Sequence, residues 1–155
     1  MSATIAARLA ELGLELPDAT APVANFVPCV QSGRNLFISG QISSWNGELR
    51  YVGKVGRDIS LSDAKAAARL CALNLIAQVQ ASLGDLERVR RVCMLQVFVN
   101  AGPEFGDHPL VANGASDLLV EVFGAAVGQH ARFAVGAGSL PFNVAVEVAA
   151  VLEVE

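Results

Sequence analysis

A long alanine-rich stretch between Ser60 and Gly84 constrains the fold of this chain most. Its apolar residues recur at helical spacing, Asp63 stands three positions after Ser60 as in a capping box, and Gly84 ends the run. The pattern predicts a long helix that begins after Ser60 or Ser62. Because alanine side chains are short, this helix can pack closely on a β-sheet.

Strand patterns and a second helix follow. Val89–Asn100 is rich in Val, Phe and Met, and in 144–154 the even positions are apolar, which predicts a strand with one core face and Glu147 on the other. A second long helix is predicted over Leu110–Phe123 and a strand over Arg132–Val135. The remaining predictions are a short helix over 4–14, a hairpin within 23–38 and a loop over 101–109.

This order of elements predicts one α+β domain over residues 1–155, with the long helices on one face of a mixed sheet. The sheet's other face carries Glu147 and, in one arrangement, Arg132, and it is either wet or buried in an oligomer. Hydrophobic residues make up 53% of the chain and charged residues 17%, which excludes disorder. Such an apolar, charge-poor composition favours an oligomer.

Composition also narrows the function classes. The longest charge-free runs have 15 residues, and a membrane helix needs about 20. Charges early in the chain do not fit a signal peptide, so we expect a soluble cytoplasmic protein. Three separated cysteines are expected to be small buried residues, and no metal site is expected. The net charge of −4 and the lack of a basic face argue against nucleic-acid binding.

Arg132 is the only charge between Glu121 and Glu147 and the one cation in residues 92–155. An arginine keeps its proton, so its side chain needs a partner or water. In one interpretation Arg132 pairs with a nearby acid or points into solvent. In the other, its planar fork is held for an anionic ligand, most naturally a carboxylate.

The residues around Arg132 carry a family resemblance. Residues 132–148 read RFAVGAGSLPFNVAVEV, where Leu140 and Pro141 follow the arginine by eight and nine positions and Glu147 by fifteen. This spacing resembles the C-terminal signature of the RidA/YjgF family, the reactive-intermediate enamine/imine deaminases.

Other parts of the chain extend the resemblance. Ser39-Gly40-Gln41 is similar to the family's second signature, and the likeness covers residues 20–154. The stretch HPLVANGASDLLVEVFG and the extra N-terminal helix within residues 1–16 resemble the chorismate-mutase-like branch. The resemblance implies a homotrimer with the chorismate-mutase-like fold, in which three sheets form an inner barrel and the helices lie outside.

The resemblance also implies an activity, the hydrolysis of 2-imino or enamine acids to 2-keto acids and ammonia in clefts between subunits, with no cofactor or metal. By position, Arg132 matches the arginine that binds the substrate carboxylate, and Glu147 matches the glutamate that orients the attacking water. The other matched substrate-binding positions are Phe26, Ser39, Gly40, Asn113 and Ala134.

Two positions depart from the family pattern. Phe26 stands where the family has a tyrosine, and Ala134 stands where it has a cysteine, so the pocket is more apolar. This leaves open a trimer that binds a small carboxylate without turnover. Endoribonuclease activity is a third hypothesis, against which the acidic balance argues. Chorismate mutase activity is the weakest, because Arg132 is a lone cation for a dicarboxylate.

Plainer roles remain open for several of these residues. Glu147 could simply pair with Arg132, Ser39 could form a turn, and Asn113 could be an ordinary surface residue of a helix. His130 could be an acid–base group, a capping residue or a solvent-exposed side chain.

Overall fold

The computed structural model describes residues 3–155, which form a mixed sheet with helices on one face. Within these residues the helices are α1 (Ile5–Glu11), α2 (Leu61–Leu83), α3 (His108–Phe123) and α4 (Ala125–Gly128). The strands are β1 (Cys29–Ser32), β2 (Asn35–Ile42), β3 (Ser44–Trp45), β4 (Glu48–Leu49), β5 (Val89–Asn100), β6 (Ala131–Ala137) and β7 (Val146–Val154). The main sheet has the order β1-β2-β7-β5-β6, with β5 and β6 parallel and the other neighbours antiparallel. The predicted α+β class and mixed sheet are confirmed.

Local signals account for the long helices. The Ser60 hydroxyl accepts the Asp63 backbone N–H at 3.1 Å, and Gly84 ends α2 with a left-handed φ of 79°. The predicted bounds of α2 are therefore confirmed. Helix α3 begins at His108, two residues earlier than predicted, because Pro109 is compatible with the first turn of a helix. Residues 23–28 are irregular rather than part of the hairpin, which begins at Cys29.

The core lies between the sheet and helices α2 and α3. Along β7, alternate residues such as Val148 are buried beneath the helices, and Glu147 lies on the opposite, outer face as predicted. Placing Arg132 on the outer face is wrong. In the parallel register Arg132 pairs with Leu95, which is fully buried, so Arg132 lies on the helix-facing side of β6.

The outer face of the sheet is rich in apolar side chains. Val30, Phe37, Phe133 and Val135 are exposed there, and the ring of Phe98 packs edge-on against Phe133 with centroids 5.7 Å apart. Nothing within residues 3–155 covers this surface.

The cysteines and the helix lengths bear on two expectations drawn from composition. The three cysteines are free, and Cys71 is buried as expected, whereas Cys29 and Cys93 are only partly buried. Across the described residues, no helix is both long enough and apolar enough to cross a bilayer.

Candidate functional site

A cavity of about 500 Å³ lies at the end of β2, where this strand meets β7. Four of the predicted site residues line it, namely Phe26, Ser39, Gly40 and Glu147. Most of the remaining wall is apolar. Small-molecule sites have this size and this mixture of apolar walls with a few polar groups.

Among residues 3–155, Glu147 is the one charged residue that lines the cavity. Its carboxyl group is half-buried and makes no hydrogen bond or ion pair with any residue between 3 and 155. Burial raises the pKa of the Glu147 carboxyl above its ordinary value, because desolvation disfavours the charged form. A carboxylate in this setting is a candidate proton acceptor.

An irregularity in β2 makes room for this carboxylate. The pairing of β2 with β7 shifts register between Ile38 and Gln41, so Ser39 and Gly40 sit at a bulge. A Cβ atom on Gly40 would lie 2.8 Å from Oε2 of Glu147, closer than such atoms can approach. The absence of a side chain at Gly40 therefore allows Glu147 its position.

Two buried amides of α2 fix the walls of the cavity, and the sequence analysis did not identify them. Gln78 donates to the carbonyl oxygen of Thr20 at 2.9 Å, and Asn74 donates to that of Ser44 at 2.7 Å. The two residues lie one turn apart in a helix that is otherwise Ala- and Leu-rich. Polar side chains on the buried face of such a helix are the signal that could have revealed them.

Phe142 is a second feature that the sequence analysis missed. It lines the cavity with 69% of its surface exposed, and both Phe142 and Asn143 have left-handed φ values, 57° and 60°. Buried Asn100 holds this turn by donating to Oδ1 of Asn143 at 3.1 Å. Left-handed backbone at two consecutive non-glycine residues is unfavourable and often occurs at functional sites.

Arg132 lies in a second cluster, between β6 and α3. Its Nη1 donates to Asn113 Oδ1 at 2.8 Å and to Ser116 Oγ at 3.0 Å, and its Nη2 donates to the carbonyl oxygen of Pro109 at 3.1 Å. These acceptors are neutral, and Arg132 has no acidic partner among residues 3–155. Treating Asn113 as an ordinary surface residue is therefore wrong, because it is half-buried and binds the guanidinium.

Two of the five N–H groups of the Arg132 guanidinium have no acceptor among residues 3–155. Of its five N–H groups, two on Nη1 and one on Nη2 are used, which leaves Nε–H and one N–H of Nη2. Free N–H groups on a guanidinium can bind a carboxylate through charge-assisted hydrogen bonds. Ala134, the next residue on the same side of β6, packs against the core beside Arg132.

The two clusters do not meet within one chain. Arg132 of β6 pairs with Leu95 of β5, and Leu95 pairs with Ala150 of β7. Arg132 therefore lies two strands away from β7, at the level of Ala150, which is three residues along that strand from Glu147. Strand spacings place the two backbones about 14 Å apart, and the side chains leave opposite faces of the sheet. An ion pair between Arg132 and Glu147 is therefore absent from the described chain.

The sheet order, the helix layer and the two clusters define a small α+β protein of the chorismate-mutase-like type. The family described as "YjgF/chorismate_mutase-like, putative endoribonuclease" matches residues 6–154. The chain belongs to this YjgF/RidA-type family.

Individual relatives are similar over almost their whole length. Protein TCP17 of Trypanosoma cruzi is 49% identical over 152 residues, covering 98% of this chain and 95% of that protein. The crystal structure of a protein of unknown function from Agrobacterium tumefaciens is 48% identical, with a TM-score of 0.90, covering 97% of this chain and 92% of that one. A structure from Shewanella oneidensis described as "a putative endoribonuclease" is 36% identical, with a TM-score of 0.94, covering 98% of this chain and 100% of that one.

Proposed function

We propose that this protein is an imine/enamine deaminase that hydrolyses 2-imino acids to 2-keto acids and ammonia in a cleft between subunits of a homotrimer. The observation that carries the proposal is a pair of unmatched charged groups. Within residues 3–155, Glu147 has no partner in its cavity and two N–H groups of Arg132 have no acceptor. Because the two groups point from opposite faces of one sheet, a neighbouring copy has to bring Arg132 to the cavity.

The chemistry follows from the two groups. Arg132 binds the substrate carboxylate through its two remaining N–H groups and so orients the imine carbon beside Glu147. As water attacks that carbon, the Glu147 carboxylate accepts a water proton and passes it to the imine nitrogen. When the hydroxyl group of the adduct becomes the keto group, Glu147 accepts its proton in turn and delivers it to the departing ammonia.

The apolar cavity walls suit the substrate's side chain, and Phe26 contributes a ring where the family pattern has a phenol. Hydrolysis by this route needs neither the hydroxyl lost at Phe26 nor the thiol lost at Ala134. Both departures are therefore compatible with turnover. Phe26 lines the cavity and affects which side chains it accepts, whereas Ala134 packs against the core beside Arg132.

A direct assay tests the proposal. An amino-acid oxidase generates 2-iminopropanoate or 2-iminobutanoate in situ, and the rate of keto-acid release is followed with and without the protein. We expect acceleration by the wild type and none by Arg132→Ala. Arg34→Ala is the matched control, because Arg34 is exposed in the β1–β2 turn and makes no side-chain bond within the described residues.

The more apolar pocket favours one alternative, a carboxylate-binding protein without turnover. No acceleration by the wild type, together with pyruvate binding that is lost in Arg132→Ala, would assign that function. RNA cleavage that survives repurification and disappears in Arg132→Ala would instead support the endoribonuclease activity in the family's description.

A further inference from the structure

A chain of hydrogen bonds connects Arg132 to a histidine that the mechanism above does not use. Ser116 Oγ, which accepts from Arg132, lies 2.8 Å from Nε2 of His130. The other ring nitrogen of His130, Nδ1, lies 2.6 Å from the carbonyl oxygen of Gly128. Since a carbonyl only accepts, Nδ1 carries a proton, and in the tautomer with this single ring proton Nε2 accepts from the Ser116 hydroxyl.

This tautomer fixes which group donates and which accepts in each hydrogen bond from His130 to Arg132. Ser116 has a single hydroxyl proton, which it donates to His130, so its lone pairs remain for Nη1 of Arg132. Together with Asn113 and Pro109, Ser116 holds three N–H groups of the guanidinium. These three bonds set the plane of the group and thereby the directions of its two remaining N–H groups.

Helices α3 and α4 hold the residues of this hydrogen-bonded series in place. Asn113 and Ser116 are three residues apart on α3 and share the face that meets β6. Gly128, at the end of α4, packs so closely on α3 that a Cβ atom there would lie 2.7 Å from the Leu119 carbonyl oxygen. This close approach places the Gly128 carbonyl where it can accept from His130.

We propose that His130 and Ser116 are positioning residues that orient the Arg132 guanidinium toward the substrate carboxylate. The inference rests on the proposed carboxylate-binding role of Arg132. Neither residue touches the reacting atoms, so their loss weakens carboxylate binding and raises KM while it leaves kcat much less changed.

The test measures pyruvate binding by titration calorimetry, and KM and kcat with 2-iminopropanoate, all on the full-length protein. Ser116→Ala removes one of the three acceptors of Arg132, and we expect the Kd for pyruvate to rise about tenfold. Ser62→Ala is the matched control with unchanged Kd, because Ser62 is exposed on α2 and its side chain makes no hydrogen bond within residues 3–155.

A pair of His130 variants separates positioning from packing. The side chain of Gln reaches the place of Nε2 and offers Ser116 an acceptor, whereas the shorter Asn side chain reaches only the Gly128 end. We therefore expect His130→Gln to bind pyruvate close to the wild-type Kd and His130→Asn to bind about tenfold more weakly. Thermal unfolding of both variants checks that they remain folded at the assay temperature.

The outcomes distinguish this inference from the proposed function. Wild-type pyruvate affinity in both Ser116→Ala and His130→Asn, with binding lost in Arg132→Ala, would overturn the positioning role and leave the proposed function intact. Equal weakening in His130→Gln and His130→Asn would also overturn it, because the acceptor would then be irrelevant. Unchanged binding in Arg132→Ala would overturn both.

Discussion

At the residue scale, the proposed role of Glu147 and its burial have opposite effects on the ionisation of its carboxyl group. As a proton acceptor it must be ionised, yet burial raises the pKa of its carboxyl by disfavouring the charged form. In the proposed substrate complex the charge of Arg132 is balanced by the substrate carboxylate, so burial is the dominant influence on the pKa of Glu147. The pH dependence of kcat reports on this complex.

We expect kcat to fall on the acid side with a midpoint above about 4.3, the ordinary value for a glutamic acid. The sign follows because protonation removes the base, and a raised pKa moves this loss to higher pH. Glu147→Gln should lower kcat by about 10²-fold or more while pyruvate still binds. Assays in overlapping buffers give the profile, and an acid limb at or below the ordinary value contradicts the assignment.

A site residue was predictable from the sequence where its own type and position in the chain distinguish it. Arg132 is conspicuous as a lone cation, and Glu147 follows it at the family spacing. The contribution of Ser116 was not predictable, because it depends on where α3 packs against β6. Likewise, nothing local to Phe142 indicates that its backbone is left-handed at the cavity mouth.

At the scale of elements, the bulge in β2 leaves room for the Glu147 carboxylate at its observed position. Gly40→Ala would place a Cβ atom 2.8 Å from Oε2 of Glu147, so the carboxylate has to move. Because misplacement of about 1 Å can cost about 10²-fold in rate, we expect a loss of that order in kcat/KM.

The matched control for Gly40→Ala is Gly106→Ala. A Cβ atom at Gly106 meets nothing within 4 Å, and its backbone does not have a positive φ. Both variants are compared by kcat/KM and by thermal unfolding. Equal activities would mean that Glu147 tolerates the displacement and that the bulge has no part in the reaction.

Predictability at this scale depends on how local each signal is. Helix α2 is set by its own caps, Ser60 and Gly84, so its bounds follow from the sequence. The face on which Arg132 lies is set by pairing with β5, and β6 has small residues that give no clear alternation. The register shift at Ser39 and Gly40 likewise depends on the partner strand, which is distant in sequence.

At the scale of the whole molecule, the uncovered apolar face of the sheet has to be explained. Phe37, Phe133 and Val135 are exposed on the side of the sheet away from the helices and make this side apolar. We expect this face to be buried between copies of the chain, as the proposed trimer requires. Phe37→Glu would bury a charge there and should convert the trimer to monomers in light scattering after size exclusion.

Leu61→Glu is the matched control for Phe37→Glu. Leu61 is also an exposed apolar residue, 37% against 46% for Phe37, but it lies at the start of α2 in the helix layer. We expect this variant to remain trimeric and active. Dissociation of both variants, or of neither, would mean that the outer face is not the interface.

The separation of Arg132 and Glu147 within one chain makes a stronger test of the assembly possible. If each cleft takes Arg132 from one copy and Glu147 from another, then Arg132→Ala and Glu147→Gln chains complement each other in mixed trimers. A cleft is intact when its arginine comes from a Glu147→Gln chain and its glutamate from an Arg132→Ala chain. In every trimer that contains both kinds of chain, about a third of the clefts are intact.

Co-expressed chains with two different tags, purified through both, provide the mixed trimers, and each variant alone is the inactive reference. Recovery of deaminase activity places the two residues on opposite sides of a subunit boundary. Inactive mixed trimers would mean that both groups act within one chain, which would require a rearrangement that brings Arg132 around the edge of β6 to the outer face.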